Sequence, residues 1–270
     1  MIEKYAAQRA ELLKELDGIR LEIDGAKRVA TVWLDRPPLN IVSYRARSQL
    51  AALFEELGRD PVVGVVVVRG ANGVFSSGGD VRGFFDVPRD GMSQLATNIG
   101  APERCPKPVI AALEKYAFGV GWELALACDF RLAVRDTQVA LPEITIGEIP
   151  GSGGSLRVLR MAGMTRAKDM VMLGRRLTAS EAHQWGLITE VVDDSAALQK
   201  AIDGYAAKLN ALSPLALSTL KRVLNQGEDA SREAGFELEG HAYEKLRDSE
   251  DYKEGAQAFF DKRKPNYTGR

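Results

Sequence analysis

An α/β core followed by a purely helical C-terminal part is the fold class that this 270-residue chain predicts. Short apolar, β-branched runs, of which Val62 to Val68 is the purest, alternate with helical patterns as far as residue 192. Glycine-rich turns stand between runs and helices, as at Gly78-Gly79 and Gly119-Val120-Gly121. Beyond Asp193 only helical patterns remain.

In chain order, Ile2, Tyr5, Leu12, Leu13 and Leu16 recur at near-helical spacing and Gly18 is placed to stop the helix, so residues 1–18 read as an N-terminal helical extension. Ile19 to Ile23 and Arg28 to Leu34 flank Asp24-Gly25 and read as a β-hairpin that Pro37-Pro38 ends. Tyr44 to Leu57 has helical periodicity, and Val62 to Val68 is a run that a sheet buries on both faces. Val109 to Leu113 reads as a strand, Gly121 to Ala127 as the start of a helix, and Phe130 to Val134, Val139 to Leu141 and Leu187 to Val192 as further strands. Thr178-Ala179-Ser180-Glu181 opens a helix as a capping box and gives His183 a structural role; His241 falls on a charged helix. Four helices follow, over Ala196 to Leu212, Pro214 to Asn225, Glu233 to Arg247 and Ser249 to Lys262. The change at Asp193-Asp194-Ser195 divides an α/β core over 19–193 from a helical region over 194–270.

Composition narrows the function classes. A formal charge of −1 and 27% charged residues leave no basic footprint for nucleic acid or an anionic membrane. Any anionic ligand must be held by local cations. Cys105 and Cys128 with two distant histidines match no zinc-ligand spacing and make no disulfide framework, so a reducing cytoplasm and no metal are expected. Residues 1–18 lack the apolar run of an export signal, and no stretch approaches the roughly 20 apolar residues of a membrane span.

Chemistry concentrates in three places. In Phe75-Ser76-Ser77-Gly78-Gly79-Asp80 the glycines let a ligand oxygen approach the main chain closely, although a tight turn without a ligand has the same pattern. Gly119-Val120-Gly121 precedes a helix, so its amides gather at a positive helix end, and Glu123 falls in the first turn. Glu143 follows Pro142 ahead of a second glycine-rich stretch, Gly151-Ser152-Gly153-Gly154. Taken singly, Glu123 is a favourable N-terminal helix charge and Glu143 a solvated loop acid. Taken together, two carboxylates beside two amide-bearing turns are equipment for moving protons next to a carbonyl.

These motifs resemble the crotonase superfamily, the enoyl-CoA hydratase/isomerase family. The resemblance runs through Arg36-Pro37 with Asn40, Phe75 to Asp80, Gly119 to Ala125 with Cys128-Asp129, Pro142-Glu143-Ile144, Gly147, Ile149-Pro150-Gly151, Leu173-Gly174, Ala179 to Ala182, Gly186-Leu187 and Phe260 to Pro265. It covers roughly residues 19–270 and implies a crotonase-type core of repeated ββα units with a helical C-terminal trimerisation region. The partners it implies are an acyl-CoA thioester and other copies of the chain, as a homotrimer or a dimer of trimers.

By the same resemblance the oxyanion donors fall on the backbone N–H of Gly79 and Val120, and the two catalytic acids on Glu123 and Glu143. Retention of both acids implies addition of water to a 2-trans-enoyl-CoA. Glu123 would orient and help deprotonate the water, and Glu143 would donate a proton to the α-carbon. Two adjacent carboxyls couple, so one is expected to titrate toward neutrality and the pH optimum to be broad. Coenzyme A is part of the substrate, and no separate cofactor is implied.

Three features depart from the family pattern. Val120 replaces a third glycine and adds a Cβ beside the acyl group, and Glu114-Lys115 replaces an Asn-Gly ahead of that turn. Phe84, Phe85 and Trp122 are available to shape an aromatic or cyclic acyl pocket or simply to pack in the core, and residues 83–100 are expected to contribute a lid. Arg36, Arg45, Arg82 and Lys262 are the cations available to CoA phosphates, with Ser77, Asp80 and Phe260 as further binding candidates. Isomerisation of a double bond, or hydrolysis of a β-keto or cyclic acyl-CoA, is the alternative on the same scaffold. A non-catalytic RNA-binding or scaffold protein is the remote one.

Overall fold

The strand patterns resolve into two sheets rather than one. The computed structural model describes residues 2–85 and 94–270. Helix α1 (Ile2–Leu12) ends short of Gly18, whose φ of 65° turns the chain into β1 (Ile19–Asp24). β1 pairs antiparallel with β2 (Val29–Leu34), Ile19 opposite Leu34, as the Asp24-Gly25 signal predicts. Ser43 then caps α2 (Tyr44–Arg59) by accepting the Ala46 N–H, and α2 leads to β3 (Val65–Gly70).

After the short helices α3 (Leu95–Ile99) and α4 (Ala101–Arg104), the chain runs through β4 (Val109–Leu113) and, two residues later, β5 (Tyr116–Phe118). The seven-residue α5 (Val120–Leu126) follows, then β6 (Phe130–Val134) and β7 (Gln138–Ala140). Next come α6 (Gly154–Ala162), α7 (Met164–Met172), β8 (Leu177–Thr178), α8 (Ala179–Gln184) and β9 (Glu190–Val192). The larger sheet has the order β1-β2-β3-β4-β6-β9, parallel from β2 onward; the smaller has the order β5-β7-β8. Consecutive strands β4 and β5, and again β6 and β7, thus go to different sheets. The repeat is a ββα unit that winds from one sheet to the other.

Alternation along the strands explains why β3 and β4 are apolar throughout. Val66, Val68, Val109, Ala111 and Leu113 face the main core with α2 and α5, while Val65, Val67, Ile110 and Ala112 face a second core. Each such fully buried valine contributes about 1.5–3 kcal/mol of transfer free energy. Leu198, Ile202, Ala206 and Leu209 of α9 (Ser195–Asn210) cover that second face, so the first helix after residue 193 packs with the sheet.

The remaining helices, α10 (Pro214–Gly227), α11 (Arg232–Arg247) and α12 (Glu250–Phe260), bury little, and Leu224 and Phe236 are 63% and 67% exposed. Buried Asp251 holds the C-terminal segment by accepting from the Ser213 hydroxyl at 2.6 Å and from the Thr268 and Gly269 amides at 2.7 and 3.0 Å. His183 contacts the Ile188 carbonyl at 2.9 Å beside the Thr178–Glu181 capping box, a structural place, and exposed His241 lies 3.6 Å from Glu244. Among the described residues no helix is long and apolar enough to cross a membrane.

Candidate active site

Three turns meet because three parallel passes end at the same edge of the small sheet. Ser76 bridges Ala117 of β5, and β5 pairs with β7 in parallel from Tyr116 opposite Gln138 to Phe118 opposite Ala140. Each pass then turns: Ser77-Gly78-Gly79 after the first, Gly119-Val120 after the second, and Leu141-Pro142-Glu143 after the third. Ligand sites form at such carboxyl ends of parallel strands. The first two turns touch, since a Cβ on Gly78 would lie 3.3 Å from the Phe118 carbonyl oxygen and 4.0 Å from the Gly119 Cα.

The first turn is braced from below. Asn40 donates to the Ala71 and Val74 carbonyls at 2.9 and 2.6 Å and accepts the Arg36 N–H, while the Ser76 hydroxyl donates to the Asn40 carbonyl at 2.7 Å. Among the described residues the Gly79 and Val120 amides donate to no protein acceptor. Gly119, at φ 52° and ψ −128°, takes a backbone conformation that only glycine adopts freely. The Val120 side chain is 2% exposed and joins the main core, and Trp122 is fully buried there, which makes it a core residue. The side chains of Phe84 and Phe85, and residues 86–93 of the expected lid, lie outside the described residues.

Glu123 is 2% exposed in α5, and its Oε1 accepts the Ser152 amide at 2.7 Å and the Gly154 amide at 2.9 Å. The glycine-rich stretch Gly151 to Gly154 therefore serves the carboxylate. Gly154 packs closely under that side chain, because a Cβ there would lie 2.8 Å from the Glu123 Cγ and force a shift. Glu143 begins a single 3₁₀ turn, Glu143–Ile146, and its Oε1 lies 3.0 Å from where a Cβ on Gly119 would stand. Its Oε2 is buried and has no hydrogen-bond partner, so Glu143 is not a solvated loop acid. Burial, and then the negative charge of Glu123, push the Glu143 carboxyl up to about 7, against its own backbone hydrogen bond and the Arg47 charge.

Ser77 and Asp80 flank Gly79; the Ser77 amide donates to the Leu39 carbonyl at 2.9 Å, and Asp80 Oδ1 accepts from the Gly83 amide at 3.4 Å. The proposed cations are scattered. Arg36 is ion-paired with Asp17, Arg45 donates to the Glu15 carbonyl at 3.2 Å, and Arg82 is exposed in a short 3₁₀ turn. Phe260 and Lys262 stand exposed at the end of α12. Glu114 is buried between Arg69 at 3.2 Å and Ser195 at 2.5 Å, and Lys115 takes a left-handed φ of 58°. Buried Arg47 carries no motif signal, yet its Nη1 donates at 3.2 Å to the hydroxyl of buried Ser152, in the glycine-rich stretch beside the carboxylates.

The family described as enoyl-CoA hydratase/isomerase matches residues 24–270. The chain belongs to that family. A 2,3-dehydroadipyl-CoA hydratase of Escherichia coli K12 is 34% identical over 256 residues, covering 93% of this chain and 99% of that protein. An enoyl-CoA isomerase/hydratase of Mycosarcoma maydis is 35% identical over 267 residues, covering 93% and 97%. The crystal structure of an enoyl-CoA hydratase from Bacillus anthracis superposes with a TM-score of 0.87 at 32% identity, covering 94% of this chain and 100% of that one. The expected crotonase-type α/β fold with a helical C-terminal region is therefore the observed one, and the chain is an enzyme of the hydratase type.

Proposed function

We propose that the protein adds water across the C2–C3 double bond of a 2-trans-enoyl-CoA thioester, and removes it in the reverse direction. One observation carries the reading: buried Glu123 and half-buried Glu143, whose Oε2 is withdrawn from solvent, flank two adjoining turns whose Gly79 and Val120 amides, among the described residues, donate to no protein acceptor. The thioester oxygen accepts from these two amides, and as negative charge develops on it each donor contributes about 3 kcal/mol. Glu123 spends Oε1 on the Ser152 and Gly154 amides and keeps Oε2 for the water.

As the water oxygen bonds to C3, a water proton passes to Glu123 and the Glu143 proton passes to C2. Redistribution of the proton between the two carboxyls restores the site. A carboxyl titrating near 7 holds and releases a proton at neutral pH, which suits Glu143 to the carbon acid. Only water and protons move, so coenzyme A enters as part of the substrate and the reaction calls for no further cofactor. The exposed apolar residues of α10 and α11 support a homotrimer or dimer of trimers, in which Lys262 and Phe260 reach the CoA of a neighbouring copy. Buried, unpaired Cys105 and Cys128 suit a reducing cytoplasm.

The test is to offer crotonyl-CoA and longer or cyclic enoyl-CoAs and follow loss of the conjugated thioester absorbance. Hydration of at least one is expected. Inert enoyl-CoAs together with cleavage of a β-keto-acyl-CoA overturn the reading in favour of a hydrolase, and conversion of a 3-enoyl-CoA alone overturns it in favour of an isomerase.

A further inference from the structure

We infer that Arg47 is a positioning residue for the Glu123–Glu143 pair: its guanidinium anchors the loop that presents two amides to Glu123 and supplies the positive charge that both carboxylates face. Arg47 lies on α2, a helix whose apolar face builds the core, yet it is 5% exposed. A buried cation is costly unless partners compensate it. Arg47 has few partners of its own. Nη1 reaches the Ser152 hydroxyl at 3.2 Å, the guanidinium carbon lies 4.8 Å from the Tyr44 ring centre, and Nε is buried without a hydrogen bond.

The remaining compensation is electrostatic. Among the described residues Glu123, Tyr44 and Glu143 are the titratable groups that act on Arg47, and Glu123 and Arg47 are those that act on Glu143. Ser152 is the mechanical link: fully buried, it meets Arg47 through its hydroxyl, donates its amide to Glu123 Oε1 at 2.7 Å, and gives its carbonyl to Arg157 Nη1 at 2.8 Å. Two arginines thus brace the residue that holds Glu123. Arg157 has its own carboxylate partner in Glu103, which among the described residues leaves Arg47 as the cation directed at the pair.

The inference deepens the hydratase reading and rests on it for its kinetic consequence only. Arg47→Gln keeps a donor for Ser152 and removes the charge; Arg47→Lys keeps the charge and removes the planar fork. The readout is infrared titration of the protonated carboxyl band in the free protein, assigned to Glu143 by its absence in Glu143→Gln. Arg47→Gln is expected to move that titration up by about one pH unit, and Arg47→Lys to leave it within about 0.3 unit of the unaltered protein. An unmoved titration in a folded Arg47→Gln variant, or equal shifts in both variants, overturns the inference. Should Arg47→Gln fail to fold, Arg47→Met carries the same measurement, and a melt of each variant identifies the folded ones. If an enoyl-CoA is hydrated, kcat falls about tenfold or more in Arg47→Gln with KM little changed. A protein that hydrates nothing still yields the infrared result, so the two readings fail separately.

Discussion

The Glu143 carboxylate occupies the space that any side chain at Gly119 would enter, with Oε1 3.0 Å from the position of a Cβ there. The turn that carries an amide donor and the turn that carries an acid are therefore in direct contact. Gly119→Ala meets two penalties, the occupied space and a φ of 52° with ψ −128°. A stability loss of about 1–3 kcal/mol is expected by thermal or chemical unfolding, and kcat/KM for an enoyl-CoA falls at least 100-fold.

Glu143 also sets a pH dependence of stability. Its folded value of about 7 lies above the ordinary 4.5, so the folded protein binds the extra proton between those limits. Its contribution is fully present below about 4.5 and is lost as pH rises through about 7, a change on the order of 3 kcal/mol. Glu143→Gln cannot titrate there. Urea unfolding at pH 5 and pH 8 is expected to show the variant gaining stability relative to the unaltered protein as pH rises.

The same variant separates proton transfer from folding. Glu143 Oε2 has no hydrogen-bond partner to lose, so Glu143→Gln folds, while kcat/KM for hydration drops by about 10²–10⁴. In the unaltered protein kcat/KM against pH bends near 7, with broad limbs that belong to the coupled pair. An unaffected turnover in Glu143→Gln would remove it as acid and base.

Gly154→Ala tests the seat of Glu123. The added methyl would lie 2.8 Å from the Glu123 Cγ and 3.0 Å from the Leu141 Cδ2, so the carboxylate must shift. A displacement of about 1 Å is worth roughly 10²-fold in rate. Steady-state kinetics are expected to show that loss in kcat, with the melting temperature changed by only a few degrees.

Asn40→Ala strips the first turn of its brace. Two carbonyls, those of Ala71 and Val74, lose a buried donor, at a cost of about 1–3 kcal/mol each. Denaturant unfolding measures the loss, and weaker turnover accompanies it as the Gly78-Gly79 turn loosens.

Much of this was legible in the residues, and the exceptions have physical causes. The hairpin, α2, β3, β4 and β6 announce themselves because periodicity survives in segments five residues or longer. Of the small sheet only β7 announces itself, through the apolar Val139 to Leu141; β5 and β8, three and two residues long, carry no such run, so the second sheet was hidden. α6 begins at Gly153-Gly154, which reads as a turn. Glu123 and Glu143 stood out because each neighbours glycines, whereas Arg47 sits among Arg45, Gln49 and other polar residues of an amphipathic helix. Only its burial distinguishes it. The partner of Arg36 was hidden for the converse reason: its ion pair with Asp17 joins residues 19 apart, and no local pattern reveals such a partner.

Because each of the three turns hangs from its own pass through the small sheet, Glu143 is supplied by a stretch of backbone separate from those that carry the Gly79 and Val120 amides. A substitution at position 143 exchanges the acid without touching the peptide groups of residues 79 and 120. Such a scaffold can trade one proton-handling chemistry for another through single codon changes while the two amide-bearing turns keep their shape.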